Sequence, residues 1–268
     1  MKTLIITGGS SGIGQAAALL FASRGWHVYE LSRHDVYGRH TVSAGTTACP
    51  IHITCDVSDP TQCQAAVAHV IQAEGHIDVL ISNAGMGISG PLEFATPQQA
   101  HQLMEVNVHG AINITQAVLP HMRQQQQGRI IFVTSVAGVF SIPYQAWYSA
   151  SKAALNSLAS ALRSEVRHLG IQVCYLQPGD VRTGFTAARQ KSVAGSDVYP
   201  HAQRSVATME RDEQHGLTPQ HIAQQLYRLA TARYVTLSHV SGLSYRLLCF
   251  AERLVPRTLV NRVVAWLY

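Results

Sequence analysis

The chain has 268 residues, 47% of them apolar and only 13% charged, so it supports a sizeable core and is not a disordered chain. The formal charge of +5 sits at one end: residues 1–227 carry 14 Lys/Arg against 14 Asp/Glu, while residues 228–268 carry six Arg and one acid, Glu252. The basic overall balance thus says little about nucleic-acid binding by the main body, and no nucleic-acid partner is expected.

The start, MKTLIITGG, runs into a strand pattern over Thr3–Thr7 without the apolar stretch of a secretion signal. A glycine-rich turn follows, Gly8-x-x-x-Gly12-x-Gly14, and then a helix over Ile13–Arg24. His27–Leu31 and Ile51–Cys55 read as strands, Pro60–Glu74 as a helix and Val79–Ser82 as a strand. Pro97–Gln126 is helical, in one piece or two, and the run Gln124–Gln127 is a solvated helix end before Gly128. A strand over Ile130–Thr134, a helix over Gln145–Leu169 and a strand over Val173–Gln177 complete the pattern. Most of these strands lack polar alternation, as expected when both faces are buried. The rhythm predicts a parallel sheet with helices on both faces.

After Pro178 the rhythm breaks. Residues 184–216 show little period, and a connection this long reads as a lid. Thr218 then caps a helix with Pro219 at its first position, and a short strand is expected at Tyr234–Leu237. The tail holds LSYRLLCFAERL and, past Pro256, RTLVNRVVAWLY. Leu243, Leu247, Phe250, Ala251 and Leu254 share helical spacing and are fringed by Arg246 and Arg253. Packing on the core or on a second subunit is the preferred reading of that stripe; contact of residues 240–268 with an anionic membrane surface is the alternative. No run reaches the ~18 apolar residues of a membrane span. The five cysteines (Cys49, Cys55, Cys63, Cys174, Cys249) are odd in number and show no C-x-x-C spacing, which predicts reduced thiols and a cytoplasmic protein.

Chemistry enters at two places. Glycines are needed where backbone turns sharply beside a pyrophosphate, and the helix after the turn offers free N–H groups and a positive dipole end. Ser10 and Ser11 add hydroxyls there. Tyr148 and Lys152 are one helical turn apart. A lysine ammonium near a phenol favours the phenolate; at ~4 Å and an effective dielectric of ~20 the attraction is roughly 4 kcal/mol. That predicts a phenol tuned toward neutral pH. Ser135, at the end of a strand, offers a hydroxyl to a developing oxyanion. The fourteen histidines, among them His34, His40, His101, His109 and His121, form no metal-ligand spacing, so no metal is expected.

The glycine turn with Ile13, Asn83-Ala84-Gly85, Asn107, Ser135, Tyr148, Lys152 and Pro178-Gly179 together resemble the short-chain dehydrogenase/reductase family in order and spacing. The resemblance runs from residue 3 to about 183. It implies a doubly wound α/β Rossmann fold, here a single domain (residues 1–239) with a C-terminal helical extension (240–268). It implies catalysis by Asn107, Ser135, Tyr148 and Lys152. Lys152 would also hold the nicotinamide ribose, and Asn107 would bend its helix and hold a water joining Lys152 to solvent. Cofactor contacts are implied for Gly8, Ser10, Ser11, Gly12, Ile13, Gly14, Asp56, Val57, Asn83, Ala84, Gly85, Tyr148, Lys152, Pro178, Gly179, Val181 and Thr183.

Where many members that bind NAD have Asp after the second strand, this chain has Ser32 followed by Arg33. A guanidinium pairs with a 2′-phosphate that an Asp would repel, so NADP(H) is the preferred cofactor and NAD(H) the alternative. Glu30 and Asp35 lie near the offset of a ribose-binding acid but miss the alignment point. Phe185, Val193, Val198, Tyr199 and Met209 on one side, with Val139, Phe140, Ile142, Pro143 and Tyr144 on the other, would line an apolar pocket. The tail and NAGMGISGPLEF resemble the 17β-hydroxysteroid and retinol dehydrogenase branch, which implies a lipid-like carbonyl/alcohol substrate and a homodimer or homotetramer. A silent NADP(H)-sensing or scaffold protein is the alternative to an enzyme.

Overall fold

The computed structural model describes residues 1–37, 49–192, 195 and 197–267. In chain order the elements begin β1 (Thr3–Thr7), α1 (Gly12–Ser23), β2 (His27–Ser32), β3 (Ile51–Thr54), α2 (Pro60–Glu74), β4 (Val79–Ser82) and β5 (Ile88–Ser89). They continue with α3 (Pro97–Met104), α4 (Gly110–Gln125), β6 (Gly128–Val133), α5 (Ala146–Val166) and β7 (Ile171–Gln177). The rest are α6 (Phe185–Ala188), β8 (Gln190–Lys191), α7 (Ala202–Gln214), α8 (Pro219–Thr231), β9 (Ser238–Val240), α9 (Leu243–Glu252) and α10 (Arg257–Leu267).

Seven strands pair in parallel in the order β3-β2-β1-β4-β6-β7-β9, while β5 and β8 form a separate short pair. Alternate residues of β1 point to opposite faces. Ile5 joins the core beneath α2, α4 and α5, with Val67, Ile114 and Leu155. Leu4 and Ile6 join the core beneath α1 and α8, with Phe21, Ile222 and Leu226. The strand order reverses between β1 and β4, so the ends of these two strands flank a crevice.

The ends of α2 show how local chemistry sets a boundary. Asp59 accepts from Thr61 N at 2.8 Å and Gln62 N at 3.3 Å, Pro60 occupies the first position, and Gly75 closes the helix at φ 74°.

Two expectations change, and the choice left open for Pro97–Gln126 resolves. Pro97–Gln126 is two helices joined by a π turn over Glu105–His109. The stretch 184–216 is not structureless: it contains α6, β8 and the 13-residue α7, whose buried residues are Ala202, Ser205 and Met209. One large apolar residue on the buried face leaves little periodic signal. The strand expected at Tyr234–Leu237 forms instead at Ser238–Val240, where Tyr175, Leu176 and Gln177 of β7 supply partners. The position of so short an edge strand is set by that pairing rather than by propensity.

Candidate active site

The tightest points of the turn after β1 are glycines. Gly8 and Gly12 have φ of 66° and 54°, which favour glycine. A Cβ on Gly8 would lie 2.8 Å from Ala84 Cα, and one on Gly14 only 2.2 Å from Gly8 O. Thr7 and Asn83 tie this turn to the end of β4. Thr7 Oγ1 accepts from Asn83 N at 2.9 Å and Ala84 N at 3.0 Å. Asn83 Nδ2 donates to Thr7 O at 3.0 Å and Gly8 O at 3.1 Å. From below, the fully buried Glu30 accepts from Gly9 N at 2.9 Å, and its other oxygen lies 2.7 Å from His52 Nδ1. Glu30 thus braces the turn from the core rather than reaching a ribose. Ser11 is the N-cap of α1, and its side chain makes no capping bond.

This turn opens into a cleft of about 500 Å³. Gly8, Ser10, Ser11, Gly12 and Ile13 line one end, with Arg33, Asp56 and Val57 beside them. Asn83, Ala84 and Gly85 follow, then Ser135, Tyr148 and Lys152, with Pro178, Gly179, Val181 and Thr183 opposite. Gly14 is buried beneath Gly8 O rather than in the lining. Asp56 Oδ1 also accepts from Ser58 N at 3.0 Å and Ser58 Oγ at 2.7 Å, so it fixes the local turn. A glycine-rich turn, an uncapped helix N-terminus and a long cleft fit a dinucleotide.

Ser135 leaves the end of β6, and its Oγ accepts from Ala137 N at 3.0 Å. Tyr148 and Lys152 come from the first turns of α5. Lys152 is buried, donates to Val133 O at 3.1 Å and places Nζ 5.7 Å from the Tyr148 ring centroid. Burial draws the Lys152 ammonium down to about 8. Burial also pushes the Tyr148 phenol up to about 12; Ser135 and Arg189 pull it down, and Glu213 pushes it up. The expectation of a phenol drawn toward neutral pH by Lys152 is therefore corrected. At this separation desolvation outweighs the ion–phenol attraction, and Tyr148 keeps its proton.

Asn107 sits in the π turn and is fully buried, outside the cleft lining. Its Oδ1 accepts from Met86 N at 2.8 Å, and its Nδ2 donates to Met86 O at 3.0 Å and Ser151 Oγ at 3.0 Å. Ser151 in turn donates to Tyr148 O at 2.7 Å. Asn107 thereby connects the loop after β4 to the helix that carries the Tyr–Lys pair.

Of the expected apolar walls, Ile142, Phe185 and Met209 line the cleft. Val139, Phe140, Pro143, Tyr144, Val198 and Tyr199 do not. Tyr199 is turned to Glu93, with its hydroxyl at 2.8 Å, and packs edge-on against Phe94. Val193 lies outside the described residues.

Phe185, expected in the apolar wall, is joined by site residues that carry no local sequence signal. The Phe185 ring lies 5.7 Å from that of Tyr148, and the Arg189 guanidinium lies 5.8 Å from Phe185 on its own side. Arg189 is buried and paired with Glu213, which also accepts from Thr186 Oγ1. Tyr245 of α9 lines the cleft and donates to Asp180. Burial raises the Asp180 carboxyl above its ordinary range, with Glu213 and Asp212 adding to the rise and Tyr245 and Arg189 opposing it. These partners lie 24 to 65 residues apart in sequence, so only the fold brings them together.

The short chain dehydrogenase family model matches residues 2–194. A 3-ketodihydrosphingosine reductase of Bacteroides thetaiotaomicron is 36% identical over 235 residues, 87% of this chain and 84% of that protein. The solved structure of a short-chain dehydrogenase from Streptomyces avermitilis matches with a TM-score of 0.82 at 28% identity, covering 99% of this chain and 95% of that one. A short-chain dehydrogenase/reductase from Burkholderia phymatum in complex with NAD matches at 0.80 and 26%, covering 93% and 92%. A family model over most of the chain, together with a relative this similar across nearly its whole length, makes the protein a member of the short-chain dehydrogenases/reductases, oxidoreductases that act on CH–OH groups with NAD(P)(H).

Proposed function

We propose that this protein is an NADP(H)-dependent oxidoreductase that interconverts a carbonyl and an alcohol on an apolar, lipid-like substrate, with Tyr148 as the acid/base. The observation that carries the reading is the convergence of Ser135, Tyr148 and Lys152 on one wall of the cleft, with Lys152 Nζ 5.7 Å from the Tyr148 ring centroid. The nicotinamide, when bound, supplies or accepts the hydride.

The protein's own groups handle the oxygen. Tyr148, protonated at neutral pH, gives its proton to the carbonyl oxygen during reduction. Ser135 hydrogen-bonds that oxygen as charge develops. Lys152 holds the ribose hydroxyls near Tyr148, and Asn107 keeps α5 in register with the loop at Met86. Gly8 to Gly14 form the pyrophosphate cradle, and Arg33 at the cleft edge pairs with a 2′-phosphate.

Met86, Ile142, Phe185 and Met209 supply apolar lining beyond Tyr148, and segment 184–216 acts as the substrate lid. The name of the Bacteroides relative, a ketone reductase of a long-chain lipid base, agrees with that lining. The working assembly is a homodimer or homotetramer in the cytoplasm. The test is Tyr148→Phe: NADPH binding followed by fluorescence stays near wild type, and turnover of long-chain ketones is lost. A variant that keeps the wild-type rate removes Tyr148 from the mechanism.

A further inference from the structure

We infer that helices α9 and α10 form a docking face for the surface of an anionic lipid bilayer. α9 is held by one side only: Tyr245 reaches Asp180, and Cys249 is buried. Its other side carries Leu243 at 73% exposure, Leu247 and Phe250, with Leu254 two residues past its end. α10 repeats the stripe with Leu259, Val263 and Trp266, the last 83% exposed, and none of its described residues is buried. The spacing i, i+4, i+7 puts each set on one helical face. Large apolar side chains gathered on one face of two successive helices mark an interaction surface rather than scattered surface leucines.

Charge selects the occupant. Arg246, Arg253 and Arg262 are exposed along the same two helices, while Arg257 lies 4.0 Å from Glu252, the only acid after residue 227. A second copy meeting this face through its own would bring arginines against arginines, and the body of the chain has no net charge to offset them. A nucleic acid matches the arginines but leaves Leu247, Phe250 and Trp266 in water. A bilayer with acidic headgroups satisfies both at once, with the apolar stripe at the acyl boundary and guanidinium groups among the phosphates. No helix among the described residues is long and apolar enough to cross a membrane, so the contact is peripheral.

The test uses the full chain without cofactor or substrate, so its outcome is independent of the catalytic reading. Vesicles of phosphatidylcholine with phosphatidylglycerol should sediment about tenfold more protein than phosphatidylcholine alone, and high salt should remove the difference. Arg246→Gln/Arg253→Gln/Arg262→Gln should lose the preference for acidic lipid. Brominated lipid should quench Trp266, the only tryptophan on this face, and Trp266→Phe should abolish that quenching. Equal sedimentation with both vesicle types overturns the inference. So does a chain that ignores vesicles but whose scattering mass falls on Leu247→Ser/Phe250→Ser, because the face then joins two copies.

Discussion

Lys152 Nζ lies 3.1 Å from the Val133 carbonyl and 5.7 Å from the centroid of the Tyr148 ring, so the lysine is held by backbone rather than by the phenol. Its ammonium is buried, and its folded pKa of about 8 is below the ordinary 10.5. Below pH 8 both the folded and unfolded states carry the proton, and the fold bears the cost of burying it. Between 8 and 10.5 only the unfolded state binds the proton, so stability rises with pH across that window. Lys152→Met should therefore stabilise the cofactor-free protein by about 2 kcal/mol at pH 7, after allowing for the lost bond to Val133. Urea unfolding from pH 7 to 10 checks this, and the gap should shrink as the pH rises.

The high Tyr148 pKa gives the two reaction directions different pH profiles. A phenol near 12 is protonated throughout the neutral range and ready to donate. Alcohol oxidation needs the phenolate, whose fraction grows about tenfold per pH unit below the pKa. Oxidation should climb severalfold per unit between pH 7 and 9, while carbonyl reduction does not climb. Initial rates in both directions, with one substrate pair, make the comparison.

The fully buried Asn107 contributes through three hydrogen bonds: two part-buried ones to the Met86 backbone and a buried one to Ser151 Oγ. Asn107→Ala leaves the Met86 N–H and carbonyl without these partners and should cost about 3 kcal/mol of stability. Asn107→Asp keeps the acceptor for Met86 N and loses both donors, so its urea midpoint should fall between those of wild type and Asn107→Ala.

Much of this site was legible in sequence, for reasons tied to particular residues. β1 and α2 have the expected limits because strand burial on both faces, and the Asp59, Pro60 and Gly75 signals, are local. The glycine turn was legible because its spacing reflects backbone needs. The π turn at Glu105–His109 was not, since one extra residue in a helix leaves no periodic trace; only the mid-helix Asn107 hinted at it. Thr7 reads in sequence as one more β-branched residue of a strand, although its hydroxyl fastens Asn83 and Ala84. The Arg189–Glu213 pair and the Tyr245–Asp180 contact join distant segments and have no one-dimensional signature. The tail stripe was visible; of the two preferred partners, the core or a second subunit, the core is not the one it meets, because Leu243, Leu247 and Phe250 face outward.

Arg33 lies at the edge of the cleft beside Ser32 and His34. Arg33→Ser should raise the Kd for NADPH about tenfold and leave that for NADH nearly unchanged, because only the former offers a phosphate to a guanidinium. Fluorescence titration with the two reduced cofactors tests it. Equal losses for both would move the discrimination to other residues.

The contact between Tyr245 and Gly179 has an engineering consequence. A Cβ on Gly179 would come within 2.1 Å of the Tyr245 ring, so α9 rests directly on the segment that leaves β7 and borders the cleft. The C-terminal end is therefore mechanically geared to the reaction chamber. A bulky group introduced beside Tyr245 would stand against the wall of the chamber, and the body-facing side of α9 is a poor place for a label.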